Sequence, residues 1–346
     1  MKSTARCARR AARILGAALI AGSAPSFWNG NDRTPGVSQL LSPVEVAAAE
    51  SENAVPPPAP FAITTGADYG IWFAEFRTNL IGRIGPLGEV KTFLVKDGGI
   101  VERMTRGPDD AIWFTDPTDN RIGRIDSSGA VTYALVREPQ SGPAGITLGP
   151  DGNLWFTEHN ADRIGRITPL GVMTDFQLGA GSQPAEIVAA ADHRLYFTEN
   201  GGNRIGGITT DGQLTEYPLP LPPRTPNAIV TTGDGRLWFT ELATGRLGQM
   251  TPHGELTELA LPAKGTPIGM AVGSDGNIWV TIPAVHAVCQ ITPAGQGKAF
   301  YFTSDVLPTM ITAGPDTNLW FTEPNGKIGR LTTTGYLTQF SSIPSS

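Results

Sequence analysis

Asp151-Gly152-Asn153-Leu154-Trp155-Phe156-Thr157-Glu158-His159-Asn160-Ala161-Asp162-Arg163-Ile164-Gly165-Arg166-Ile167-Thr168 is the stretch that decides the fold, because the rest of the chain repeats it. Its tryptophan is one of a series: Trp72, Trp113, Trp155, Tyr196, Trp238, Trp279 and Trp320, spaced 41 or 42 residues apart. A period of that length, with short β-rich runs inside each unit, is the signature of propeller blades. The expectation is an all-β chain: a single seven-bladed β-propeller of four-stranded blades over residues 60–346.

Each repeat holds four strand-like runs. In the third they are Ala144 to Leu148, Asn153 to Glu158, Arg163 to Thr168 and Val172 to Leu178, separated by turn residues. The first run follows a proline in six repeats (Pro60, Pro143, Pro184, Pro226, Pro267, Pro308), with Val101 in the second. Proline lacks a ladder donor and belongs at a strand's first residue. The second run carries an aromatic pair whose side chains point to opposite faces, so the pair is expected to pack against the blades on both sides. The third carries Ile-Gly-Arg-Ile, and a mid-strand glycine marks close approach by a neighbour, expected to be an aromatic ring. Cys289 takes that glycine slot in the sixth repeat and reads as a small buried thiol. The last repeat has its own fourth run, Tyr336 to Phe340, so blade one is expected to meet blade seven through side chains alone.

Outside the repeats, Lys2, Arg6, Arg9, Arg10 and Arg13 precede an apolar run from Ile14 to Ala21 and small residues at 22–24, the pattern of an export signal. That run is too short to span a bilayer. Residues 25–59, ending in Pro56-Pro57-Pro58, read as a flexible linker. The protein is therefore expected to be exported, periplasmic or extracellular, by the ordinary secretory route, with Arg9-Arg10 as a twin-arginine signal the alternative. Cys7 lies in the leader, leaving Cys289 without an internal disulfide partner. The 346 residues carry a net charge of −6, with no basic run beyond the leader, which argues against nucleic acid as a partner.

Propellers place ligands at one end of the central channel, where loops on a rigid frame carry function. Two slots vary from blade to blade while the frame repeats. Directly after the first-strand proline come Phe61, Glu102, Ala144, Ala185, Asn227, Ile268 and Thr309; one place later come Ala62, Arg103, Gly145, Glu186, Ala228, Gly269 and Met310. The polar members, Glu102, Arg103, Glu186, Asn227 and Thr309, are the candidate ligand-binding residues. Glu102, Glu186 and Asn227 are the candidate metal ligands, their oxygens suiting magnesium or calcium. After the aromatic pair stand Glu75, Asp116, Glu158, Glu199, Glu241 and Glu323, with Ile282 in the sixth repeat. Repetition in nearly every blade assigns them to structure, satisfying backbone donors or third-strand arginines such as Arg83, Arg124, Arg166 and Arg330. Of four histidines, His193 and His253 fall in hairpin turns and His286 in a loop of the sixth blade. His159, next to Glu158 at a strand end, is the candidate base or ligand.

Leu-Trp-Phe-Thr-Glu, then Asn/Asp-Arg-Ile-Gly-Arg-Ile-Thr, then Thr-Glu-Tyr-Pro-Leu as at 215–219, closely resembles the streptogramin B lyase (virginiamycin B lyase) family across all seven repeats. The resemblance implies a seven-bladed propeller that opens a cyclic depsipeptide at its ester by magnesium-assisted elimination. A metal polarises the ester while a histidine removes a proton next to its carbonyl. It also implies histidine directly after the first-strand proline in two blades, one of them with glutamate just before that proline, and a further glutamate after the aromatic pair, of which only the acids after the aromatic pair persist in this chain. Here no blade has histidine in that slot, and the residues before the prolines, Ala59, Gly142, Gln183, Thr225, Thr266 and Leu307, are not acidic. The expectation is thus an exported, monomeric lyase-like propeller that binds a small molecule or peptide at its channel mouth. The alternative is a metal-dependent carbon–oxygen lyase or lactonase with a relocated site.

Overall fold

The computed structural model describes residues 58–76, 78–95, 99–251 and 253–343, and the leader and nearly all of the expected linker lie outside them. The described chain forms seven four-stranded antiparallel sheets, each made of strands consecutive in sequence. The blades cover 60–94, 104–135, 143–177, 184–218, 226–260, 270–301 and 311–341. One turn of 3-10 helix, Pro283–Val285, is the only helical element among the described residues. No described helix is long and apolar enough to cross a membrane.

The first strand of each blade lies against the first strands of its neighbours, and that of blade seven, Ile311–Ala313, returns to that of blade one, Pro60–Thr65. The first strands therefore line the channel and the ring is closed. No strand is borrowed for the closure. Thr322 Oγ1 of blade seven donates to the Phe61 carbonyl at 2.9 Å, and Thr65 Oγ1 of blade one donates to the Ala313 carbonyl at 2.6 Å. Trp320, Ile328, Phe73, Ile71 and Ile84 pack between them. Closure thus uses side-chain packing, as expected, together with side-chain hydrogen bonds to the neighbouring backbone. Pro58 and Ala59 already belong to this frame: Ala59 is buried and its N–H donates to Glu75 Oε2 at 2.6 Å.

The aromatic pair explains why blades adhere. Six of the seven inter-blade cores put the large ring of one blade against the phenylalanine of the next: Trp72 with Phe114, Trp113 with Phe156, Trp155 with Phe197, Tyr196 with Phe239, Trp279 with Phe321, and Trp320 with Phe73. Between blades five and six Trp238 meets Val280 instead. Each phenylalanine ring lies over the glycine opposite it on the third strand. A Cβ on Gly165 would fall 2.2 Å from the Phe156 ring, so no larger residue fits there. In blade six Val280 opposes Cys289, and the smaller valine leaves room for the thiol.

The indole edge is held as well. A hairpin aspartate four residues before the ring accepts from its N–H or O–H in six blades, as Asp151 does from Trp155 Nε1 at 3.0 Å. Arginines opposite the ring approach the same aspartates: Arg83 to Asp68 at 2.5 Å, Arg124 to Asp109 at 2.5 Å, Arg166 to Asp151 and Arg330 to Asp316 both at 3.8 Å. Burial opposes ionisation of Asp68 and Asp109, yet the bonds from indole and guanidinium hold both carboxyls below their ordinary range.

Candidate functional site

The two variable slots sit on a bulge. In blade three Pro143 pairs with Glu158 and Ile146 with Phe156, so Ala144 and Gly145 together oppose the single residue Thr157. The same shift occurs in blades one, four and five. A bulge leaves one N–H without a ladder acceptor. The threonine supplies it: Thr157 Oγ1 accepts from Gly145 N at 2.8 Å, and Thr115, Thr198, Thr240, Thr281 and Thr322 do the same in their blades. Five of these hydroxyls then donate to the next blade's first-slot carbonyl, at Ala144, Ala185, Asn227, Thr309 and Phe61, over 2.5 to 2.9 Å. A ring of threonine hydroxyls thus fixes the bulges that shape the channel mouth.

Blade one breaks the ring, because Ala74 stands where the others have threonine. Ala74 leaves the Glu102 carbonyl without a threonine donor, and Arg103 Nη1 donates to it at 2.9 Å. From there the guanidinium reaches past blade three to form an ion pair with Glu186 of blade four, and it also lies 5.5 Å over the Phe61 ring. Arg103 and Glu186 side chains are each 18% exposed. The Glu102 carboxylate accepts no hydrogen bond from the described residues; burial raises its pKa, Arg103 opposing and Glu186 adding to the rise. The fold therefore gathers Glu102, Arg103 and Glu186, from sequence positions up to 84 residues apart, with Phe61 beside them.

The remaining candidates have other duties. The Asn227 carbonyl is the acceptor for Thr198, while its half-buried side chain makes no protein hydrogen bond. Thr309 is buried, and its hydroxyl bonds the Thr322 carbonyl at 2.9 Å and hydroxyl at 2.8 Å, so it belongs to the frame. His159 Nδ1 lies 3.1 Å from the Pro184 carbonyl, and the backbone N–H of His159 donates to Gly142 O. His286 makes the matching contact with Val306 O at 3.0 Å. Both histidines tie the connection they sit on to the following blade. His193 and His253 are exposed in hairpins.

The repeated acids are structural in five of their six positions, through a backbone donor and third-strand arginines as expected, but not through the four arginines named. Those serve the hairpin aspartates, because they lie opposite the tryptophan at the other end of the strand. The acids instead meet Arg121 (Asp116, 2.8 Å), Arg204 (Glu199, 2.6 Å), Thr244 (Glu241, 2.6 Å), Gln339 (Glu323, 2.8 Å) and the Ala59 N–H (Glu75). Glu158 alone has no partner for either oxygen.

Among the described residues no group of three or more histidines, cysteines or acids is arranged to hold a metal. The magnesium of the lyases does not fit the channel mouth: Glu186 is committed to Arg103, and Glu102 shares its surroundings with that fixed positive charge.

Comparisons with known proteins place this frame. The profile of the virginiamycin B lyase family matches residues 46–266 and 226–346. A streptogramin B lyase structure is 34% identical over 83% of this chain and 95% of its own, with a TM-score of 0.76. A catalytically inactive histidine-to-alanine variant of virginiamycin B lyase from Staphylococcus aureus, solved with quinupristin, is 32% identical over 79% of this chain and 94% of its own, with a TM-score of 0.75. The extracellular domain of a one-component system from B. thetaiotaomicron shares the fold at 14% identity, covering 82% of this chain and 41% of its own, with a TM-score of 0.65. No curated protein matched. With its family profile, identity and seven blades in agreement, the chain belongs to the virginiamycin B lyase family.

Proposed function

We propose that this family member is an exported, monomeric binding propeller that holds a small molecule or peptide at its channel mouth without opening an ester ring. The observation that carries this reading is the Arg103–Glu186 pair, which joins blades two and four one place after the slot where the family's chemistry calls for histidine. Elimination needs a base beside the proton it removes. In the first slot the only titratable side chain is Glu102, which stands next to a guanidinium. A relocated lyase or lactonase site built on Glu102, Glu186 and Asn227 would require Glu186 to leave Arg103, exposing a half-buried guanidinium. Magnesium therefore supplies no step here.

What the mouth offers is recognition. Phe61 gives an aromatic edge, Asn227 an uncommitted amide, and Glu102 a carboxylate whose acceptor sites are open. Two carboxylates against one guanidinium leave the cluster net negative when ionised, which suits a ligand presenting an ammonium or amide N–H.

The test is incubation of the purified protein with a type B streptogramin and excess magnesium, followed by mass spectrometry and by calorimetry with quinupristin. Intact ring with saturable binding weakened by Glu102→Gln is expected. Ring opening without gain of water would overturn the proposal.

A further inference from the structure

Blade four carries an ion triad on the face turned toward blade three. Arg204 stands between Glu199 at 2.6 Å and Glu216 at 3.3 Å. Blade five repeats the arrangement with two arginines: Arg224 lies 2.7 Å from Glu258 and 3.7 Å from Glu241, and Arg246 is 3.5 Å from Glu258. In both, a guanidinium neutralises a wholly buried strand-end carboxylate together with a second acid on the fourth strand.

Blade three has the same residues in the same register. Glu158 pairs with Arg163 and Gly165 with Asp175, as Glu199 pairs with Arg204 and Gly206 with Glu216. The guanidinium, however, is withdrawn. Arg163 Nε donates to Gln177 at 2.9 Å and its Nη1 lies 3.1 Å from Glu138, on the connection from blade two. Asp175 is one methylene shorter than Glu216 and does not hold it. Glu158 is consequently 0% exposed with neither oxygen partnered, and Asp175 Oδ1 is buried and unpartnered too. Ser141, buried beside Glu158, has a single hydroxyl proton, which goes to Asn120 Oδ1 at 3.0 Å. Three buried carboxylate oxygens thus lack a partner at the register positions where the next blade sets a guanidinium.

We propose that Glu158, Asp175 and Ser141 form a cation site between blades two and three, taking a hard divalent ion of the calcium class where blade four places its guanidinium. All the donors are oxygen, which excludes soft metals. Two carboxylates balance a double charge. Calcium fits better than magnesium, which dehydrates reluctantly and keeps several waters that so enclosed a place cannot admit. Glu138 and Arg163 lie at its outer side and His159 follows Glu158 in the chain, so the site is distinct from the Glu102–Arg103–Glu186 cluster and does not depend on the ligand reading.

The experiment is calorimetric titration of the chelator-treated full chain with calcium chloride alone, paired with thermal melting. One ion per chain is expected, raising the Tm by roughly 5 °C at saturating calcium. Glu158→Gln should lose at least tenfold in affinity, on the order of a single lost carboxylate ligand, while Glu102→Gln binds as the wild type does. Asp175→Asn serves if the first variant folds poorly. Absence of heat and of any Tm shift in the wild-type protein overturns the site, as does undiminished binding in Glu158→Gln. Binding abolished by Glu102→Gln instead would place the metal at the channel mouth and overturn this assignment and the ligand reading together.

Discussion

Val280 of blade six lies directly across from Cys289, at the position where the other six blades set a phenylalanine ring over a glycine. The two departures compensate: valine removes the ring and the thiol fills part of its volume. Burial pushes the thiol pKa up to about 11, so it packs as an inert small group. Val280→Phe alone should destabilise the protein by about 1–3 kcal/mol through overpacking against Cys289. Cys289→Gly alone should cost a similar amount by opening a void. The double variant restores the pairing of the other blades, so urea denaturation should give a favourable coupling of about 1–2 kcal/mol. Strict additivity would show that the pair does not share one packing site.

Thr157 links Gly145 of its own blade to Ala185 of the next, over 2.8 and 2.7 Å. Thr157→Val keeps the shape but strands a bulge N–H and weakens the seam, so a loss of about 2 kcal/mol is expected in equilibrium unfolding. At the broken link, Ala74→Thr should supply the missing hydroxyl to the Glu102 carbonyl and stabilise the protein by about 1 kcal/mol. A loss of stability in Ala74→Thr would mean that Arg103 already satisfies that seam fully.

The propeller, the two-sided aromatic pair and the ring over the third-strand glycine were all legible, because each rests on a repeat period and on the alternation of strand side chains. The threonine of Trp-Phe-Thr-Glu was equally visible, yet its work was not, since its acceptor lies 28 or 29 residues away on another blade. The arginines were matched to the wrong acids. Counting the register from Trp155 to Arg166 would have sent them to the hairpin aspartates, but that needs the hairpin length, which one sequence does not fix. Arg103 and Glu186 occupied the right slots, but their pairing skips a blade and depends on the curvature of the closed ring. Glu158 looked like its five repeats until Arg163 was seen to turn away.

Arg103 and Glu186 should behave as one unit. Arg103→Ala leaves Glu186 and Glu102 half-buried without a counter-charge and removes the donor to the Glu102 carbonyl, so a loss of about 2–4 kcal/mol is expected. Glu186→Gln should cost less, because Arg103 keeps Glu102 as a neighbouring charge. If the pair spans the mouth in solution, the double variant Arg103→Ala with Glu186→Gln will be less destabilised than the sum of the two singles. Additive losses in denaturant titrations would show that the two side chains do not meet.

Glu158 gives the sharpest pH signature in calcium-free buffer. Its folded pKa is raised from 4.5 to about 7 by burial, so between those values the native state holds a proton that the unfolded chain has released. Stability contributed by this group is therefore present in full below about pH 4.5 and falls as pH rises, levelling off above about 7. The shift of roughly 2.5 units corresponds to about 3 kcal/mol. Glu75, Glu241 and Glu323 are also raised by burial, so the isolating measurement is a difference. Glu158→Gln should match the wild type near pH 4.5 and exceed it by about 3 kcal/mol at pH 8, with saturating calcium closing the gap from the wild-type side. Parallel stability curves for the two proteins from pH 4.5 to 8 would show that Glu158 is solvated or paired in solution, and the buried, unneutralised carboxylate would be lost as a feature of this propeller.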